Sequence, residues 1–141
     1  DVMLAEELQE IFKESPAYSK SLDFIIPDNE LHLTIEISDT VLLLLHGHQM
    51  RGAGNSQAKA RKWLSDQAFS RSETADADIV LHGHYHYFSA YESSDRLILQ
   101  APTLDSGSEW FENTKGDKSR AGMLTFVIGG EAKWDYIKVI R

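Results

Sequence analysis

Asp78-Ile79-Val80-Leu81-His82-Gly83-His84-Tyr85-His86 is the stretch whose reading decides the fold. An apolar run bounded by turn signals reads as a buried strand, and here it empties directly into three histidines. Gly83 lets the backbone turn sharply and keeps bulk away from their rings. In an extended segment residues i and i+2 point to the same side, about 6.5 to 7 Å apart, so His84 and His86 are expected to present their imidazoles together. That separation suits two rings pinching one ion, or each ring serving one of two ions about 3.5 to 4 Å apart.

Toward the N-terminus the pattern has an echo. Val41 to Leu45 is an unbroken apolar run, as expected of a strand covered on both faces, and it stops at His46-Gly47-His48. Five of the six histidines, His46, His48, His82, His84 and His86, therefore follow the two most apolar strands. A single histidine is ordinarily a surface or core residue with a satisfied ring nitrogen. Five at strand ends point to metal binding, because ligand sites of open α/β sheets lie at the carboxyl ends of strands. With no cysteine in the chain, there is neither a disulfide framework nor a thiolate zinc site, and any ion must be held by His, Asp, Glu or Asn. The same absence favours a reducing compartment, and a cytoplasmic location is expected.

Between the two histidine turns, a loop with Gly47, Gly52 and Gly54 leads to Ser56 as the expected N-cap. Ala60, Trp63, Leu64 and Ala68 then mark a helix stripe to about Ser70. Before them, Leu4, Leu8, Ile11 and Phe12 predict an opening helix, so the chain is expected to begin in mid-domain. Leu22 to Ile26 and the alternating Leu31 to Ile37 read as extended runs joined by a turn at Pro27, Asp28 and Asn29. After the second histidine turn, Tyr87 to Tyr91 and Leu97 to Ala101 read as a strand pair joined at Ser93, Ser94 and Asp95. Residues 102 to 119 are polar and irregular, and Met123 to Ile128 with Ala132 to Ile140 form a hairpin around Gly129-Gly130. No repeat or linker divides the 141 residues, which are read as one domain, 1–141.

Hydrophobic residues at 42% and charged residues at 26% are ordinary globular usage. No apolar run approaches the roughly 20 residues that cross a bilayer, and the acidic N-terminus is unlike a signal peptide, so no membrane partner is expected. A net charge of -8 argues against a surface that coats nucleic acid nonspecifically. Between Arg51 and Arg71, however, five basic residues face only Asp66, a local charge of +4. Arg51, Lys59, Arg61 and Lys62 are thus a candidate anion site for a phosphodiester backbone, with a solvated helix face as the plain alternative.

Gly83-His84-Tyr85-His86 after a buried strand resembles the closing G-H-x-H motif of the calcineurin-like metallophosphoesterases, and His46 at the end of the earlier strand resembles the histidine that precedes it in that family. The resemblance covers Val41 to about Ala101. It implies a mixed β-sheet with flanking helices, the second half of a four-layer α/β/β/α fold. It also implies a metal-dependent phosphoesterase acting on a phosphomonoester or phosphodiester through two divalent ions of the Mn, Fe, Zn or Ni class. His46 and His84 would ligate one ion and His86 the other. His48 would stand outside the ligand set as the candidate catalytic residue, either supporting a ligand or facing the substrate, and His82 would be structural. The family's upstream motifs, D-x-H, G-D-x-x-D and G-N-H-D or G-N-H-E, have no counterpart: Asp39-Thr40-Val41 lacks the histidine, and Gly116-Asp117 lacks the second aspartate and follows the histidines. The chain is therefore expected to be the C-terminal half of a catalytic domain, inactive alone. Such a cut is expected to bare an edge of the strand ending at His46 and to favour a homo-oligomer or a rearranged sheet. The alternative is a noncatalytic metal-binding or interaction module that keeps the fold.

Overall fold

The computed structural model describes residues 2–27, 31–105, 120–129 and 131–141. Asp28, Asn29, Gly130 and most of the polar stretch 102–119 lie outside them. The chain divides into two compact units, Asp1–Glu30 and Leu31–Arg141.

In the first unit the leucine stripe forms helix α1 (Val2–Glu14), as its helical spacing predicts. Phe12 meets Tyr18 edge-on, with ring centroids 5.5 Å apart, and packs against Phe24 at 5.9 Å. Leu22 to Ile26, expected as a strand, is irregular. An extended run must pair its backbone with a neighbour, and no described strand pairs with this one; its anchor is the Phe24 ring instead.

The second unit is built on five strands. β1 (His32–Ile37) and β2 (Thr40–Leu45) form an antiparallel hairpin. Its turn residues Ser38 and Asp39 have φ of 50 and 61°, the left-handed pair that matches the twist of the strands. β3 (Ile79–His82) runs parallel to β2, and β5 (Arg96–Gln100) parallel to β3, while β4 (Ser89–Ser93) closes the far edge antiparallel to β5. The order is β1-β2-β3-β5-β4. Helix α2 (Ser56–Phe69) makes the crossover from β2 to β3. A second sheet consists of the hairpin β6 (Met123–Ile128) and β7 (Trp134–Ile140).

The apolar run of β2 is explained by two covers. Leu43 and Leu45 join Val80 and Ile98 beneath Ala60 and Leu64 of α2. Leu42 joins Ile79, Leu97 and Leu99 beneath Leu124, Phe126 and Ile137 of the second sheet. Each fully buried leucine contributes about 1.5–3 kcal/mol, so the centre of the sheet carries most of the stability. The result is a layered, mixed α/β structure, as the apolar strands predict.

Three expectations are corrected. The N-cap of α2 is Asn55, whose side chain accepts a 2.9 Å hydrogen bond from the Ala58 amide. Ser56 is instead the first helical residue, buried, with its hydroxyl 2.9 Å from that of Tyr87. The buried stripe of α2 runs through Ser56, Ala60 and Leu64, and Ala68 is exposed. The strand ending at His46 has no bare edge, because β1 folds back along it and β3 flanks its other side; the premise for oligomerisation through that edge is removed.

Asp78 levels β2 with β3. Its carboxylate accepts the Val41 N–H at 2.9 Å, its own N–H donates to the Val41 carbonyl at 2.9 Å, and Lys133 bonds its other oxygen. With Leu42 opposite Ile79, Leu45 falls opposite His82, and both histidine turns leave the sheet side by side. Among the described residues no helix is long and apolar enough to cross a membrane.

Candidate metal centre

Two glycines bring the turns into contact. The Gly83 N–H donates to the His46 carbonyl at 3.0 Å. Gly47, at φ +107°, lies so close that a Cβ on it would meet the His82 Nδ1 at 3.2 Å and the Gly83 oxygen and His84 Cβ at 3.3 Å. A glycine is required there on both counts.

The four histidines of the resemblance gather above this contact. His46 Nδ1 lies 3.1 Å from His48 Nδ1, and the His46 and His84 ring centroids are 5.0 Å apart at 73°. Partial burial, followed by the charges of His46, His48, His86 and Lys59, holds His84 below the ordinary imidazole value. At neutral pH it is an unprotonated ring, the form that binds metal.

The expected extended geometry of the second turn is not what unites His84 and His86. Both are left-handed, with φ of 70 and 66°, and the Tyr85 N–H folds back to the Gly83 carbonyl at 2.9 Å. Left-handed backbone at non-glycine residues is costly and persists only where surroundings enforce it.

The fit to metal is partial. The His46 and His48 rings share a hydrogen bond at 3.1 Å, and His84 stands edge-on to His46. Among the described residues, however, no three His, Asp or Glu side chains converge on one ion, and no carboxylate is among the groups that act on His84. The donors make the imidazole portion of a site and do not fit two ions by themselves.

No family model and no curated protein matches the sequence. Solved structures do match the fold. Vps29 from Entamoeba histolytica complexed with zinc is 21% identical, with a TM-score of 0.52 over 77% of this chain and 53% of that one. A single mutant of the same protein matches at 16% identity and a TM-score of 0.54, over 86% of this chain and 66% of that one. Vps29 from Chaetomium thermophilum matches at 12% identity and a TM-score of 0.54, over 77% and 58%. The fold is that of the calcineurin-like metallophosphoesterases. The chain spans 53–66% of the length of these proteins.

Within this metallophosphoesterase fold the basic stretch divides. Lys59 is the member that reaches the histidines: half-buried, its Nζ lies 5.3 Å from the Tyr85 ring centroid, and its charge acts on His84. Tyr85 itself donates to the Met50 carbonyl at 3.2 Å, and burial pushes its hydroxyl pKa up. Arg61 stacks over Tyr91 at 5.7 Å and Lys62 pairs with Asp66 at 2.6 Å, both lining a groove of about 770 Å³ beside β4. Arg51 lines a second cavity of about 240 Å³ with Trp63, which Lys62 and Asp66 border as well.

Two buried polar residues lie beneath the histidine turn: His82, which the sequence reading takes as structural, and Gln100, to which it gives no role. His82 is buried, with Nδ1 3.1 Å from the Gly83 carbonyl, and burial holds its pKa down. Gln100, fully buried, donates from Nε2 to the Tyr87 carbonyl at 2.6 Å. The only sequence signal for Gln100 is a polar residue closing the apolar run Leu97 to Leu99.

Proposed function

We propose that the chain is the C-terminal half of a phosphoesterase domain whose complete form hydrolyses a phosphomonoester or phosphodiester with two divalent ions. The observation that carries this reading is the gathering of His46, His48, His84 and His86 at the ends of two adjacent parallel strands. His46 and His84 are assigned to one ion and His86 to the other, with His48 facing the substrate. Imidazole donors without thiolates suit Mn, Fe, Zn or Ni, and the zinc complex of Vps29 supports the class. Bound ions of this kind supply Lewis acidity toward a phosphoryl group.

The chain's own residues do the rest. His84 enters as a neutral ring, Gly47 admits the close approach of the two turns, and Lys59 offers positive charge to an anionic substrate oxygen, the one element of the nucleic-acid reading that faces the site. The carboxylates that would hold two ions together belong to the remainder of the domain, in a cytoplasmic protein. The chain alone is accordingly inactive.

Metal analysis and turnover test this together. The 141-residue chain with added Mn is expected to hold at most one weakly bound ion. Its turnover of a generic phosphodiester should be no faster than that of a His46/His84/His86 triple alanine variant; faster turnover overturns the incomplete-site reading. In the complete protein, His84→Ala and His86→Ala should each lower the metal content toward one ion and abolish most activity. His48→Ala should keep two ions and lose about 10 to 100-fold in activity. If His48→Ala strips metal as fully as His84→Ala, the assignment of the rings is wrong.

The second reading is a noncatalytic binding module, favoured by the incomplete ligand set among the described residues. A Vps29 structure with a cyclic peptide, TM-score 0.50, shows that this fold can hold a peptide. A complete protein without carboxylates near the histidines would select it.

A further inference from the structure

Leu45, His82 and Gln100 lie opposite one another at the ends of three parallel strands, on the face that packs against α2. Two polar side chains in so buried a row, at 2% and 0% exposure, are costly unless each makes a bond that matters. Both bonds go to the histidine turn. A carbonyl oxygen only accepts, so the 3.1 Å contact between His82 Nδ1 and the Gly83 oxygen places the ring proton on Nδ1. The same oxygen accepts the Tyr85 N–H at 2.9 Å. Two donors thus hold the peptide that leads into left-handed His84.

At the other end, Gln100 Nε2 holds the Tyr87 carbonyl at 2.6 Å, one residue after left-handed His86, whose own carbonyl accepts the Thr103 N–H at 3.2 Å. The Gln100 Oε1 is buried without a hydrogen-bond partner. An apolar side chain would fill the row without that orphaned atom, so the use of the amide lies in its nitrogen.

We infer that His82 and Gln100 are positioning residues, a buried clamp that grips the turn at its entrance and exit and holds His84 and His86 in the left-handed backbone that aims their rings. The inference rests on the reading of those rings as ligands, but the clamp itself is measurable without metal.

The test uses His82→Leu, His82→Asn and Gln100→Met in the 141-residue chain. Asparagine keeps an N–H near the position of Nδ1 and leucine does not. Amide to Hα couplings and local nuclear Overhauser patterns report the sign of φ at His84 and His86 without metal. Calorimetry with Zn2+ reports affinity, and far-ultraviolet circular dichroism controls for the fold. His82→Leu is expected to lose the left-handed signature of His84, and Gln100→Met that of His86, each with Zn2+ affinity about tenfold weaker. His82→Asn is expected to restore both. Retention of the left-handed signature in the Leu and Met variants, or an Asn variant no better than Leu, overturns the clamp. If His82→Leu does not fold, Gln100→Met decides by losing or keeping the His86 signature. If the unmodified chain binds no Zn2+, which the incomplete site allows, the couplings alone decide the clamp.

Discussion

Replacing Gly47 with alanine tests whether close approach of the two turns builds the site. At φ +107° an L-residue sits in backbone reserved for glycine, which costs about 1–3 kcal/mol. The new Cβ would also stand 3.2 Å from His82 Nδ1 and 3.3 Å from the Gly83 oxygen and the His84 Cβ. These are inside the 3.5–4.0 Å or so at which carbon contacts are favourable. None of the three atoms is the loose end of a flexible chain: one is backbone, one is in a buried ring, and one is the first atom of a proposed ligand. The turns must therefore part by a few tenths of an ångström, stretching the 3.0 Å bond from Gly83 to His46, at an overpacking cost of about 1–3 kcal/mol. Gly52→Ala is the control, since its φ is +132° but its Cβ would meet only the flexible Lys62 side chain, at 3.5 Å. Urea denaturation should show Gly52→Ala losing only the conformational cost and Gly47→Ala losing at least about 1 kcal/mol more, or about 4 °C in Tm. Calorimetry with Zn2+ should show weaker binding for Gly47→Ala alone. Equal losses of stability and equal Zn2+ affinities in the two variants would refute the reasoning.

Two further outcomes follow from the core and from the strand register. Leu43→Ala removes a side chain with no exposure from beneath α2 and should cost about 2–5 kcal/mol in denaturation; a loss below 1 kcal/mol would mean that the sheet and helix do not pack as described. For Asp78, burial works to raise the pKa, but the Lys133 and Val41 hydrogen bonds and the charges of Lys133 and Arg96 outweigh it and hold the carboxylate below 3.8. Its stabilisation is therefore present above pH 3.8 and is lost as pH falls through the lower folded value. Asp78→Asn should flatten the acid limb of the stability profile, and an unchanged limb would contradict the tie.

What the sequence conveys and what it withholds have a common physical cause. Val41 to Leu45 and Ile79 to Leu81 are legible because burial on both faces leaves no polar residue in them. The His46 and His84 turns are legible because runs without polar residues end there in turns that carry several imidazoles. The left-handed backbone of His84 and His86 is not legible, since its bonds come from Gln100 and Thr103 on a later strand and loop and from the His82 ring beneath. Local preference cannot report them. Asn55 and Ser56 are near-equal N-caps, and the choice falls to the hydroxyl of Tyr87, 31 positions away, which draws Ser56 into the buried stripe. The hairpin partner of β2 is hidden because its turn is Ser38-Asp39 rather than the Asn-Gly that announces such turns. Lys59 is one of five cations in its stretch, and only the rotational phase of α2 against Tyr85 sets it apart.

The charge pattern at the site follows from the same separation of causes. The chain is acidic overall at -8, yet among the described residues the charges that act on His84 are those of His46, His48, His86 and Lys59. Within the same unit, Asp78 is tied to Lys133 at the opposite end of β3. Burial, and then the neighbouring His46, His48, His86 and Lys59, disfavour a proton on His84. That is a poor arrangement for stability at acid pH and a good one for receiving a cation. A bridging carboxylate brought in by the rest of a domain would reverse the sign of the field and raise the His84 pKa, while a divalent ion on the rings would keep protons off them. The direction in which His84 titrates in the complete protein, upward with carboxylates alone and suppressed once metal is added, therefore separates the phosphoesterase half-site from a histidine cluster that never meets its acidic complement.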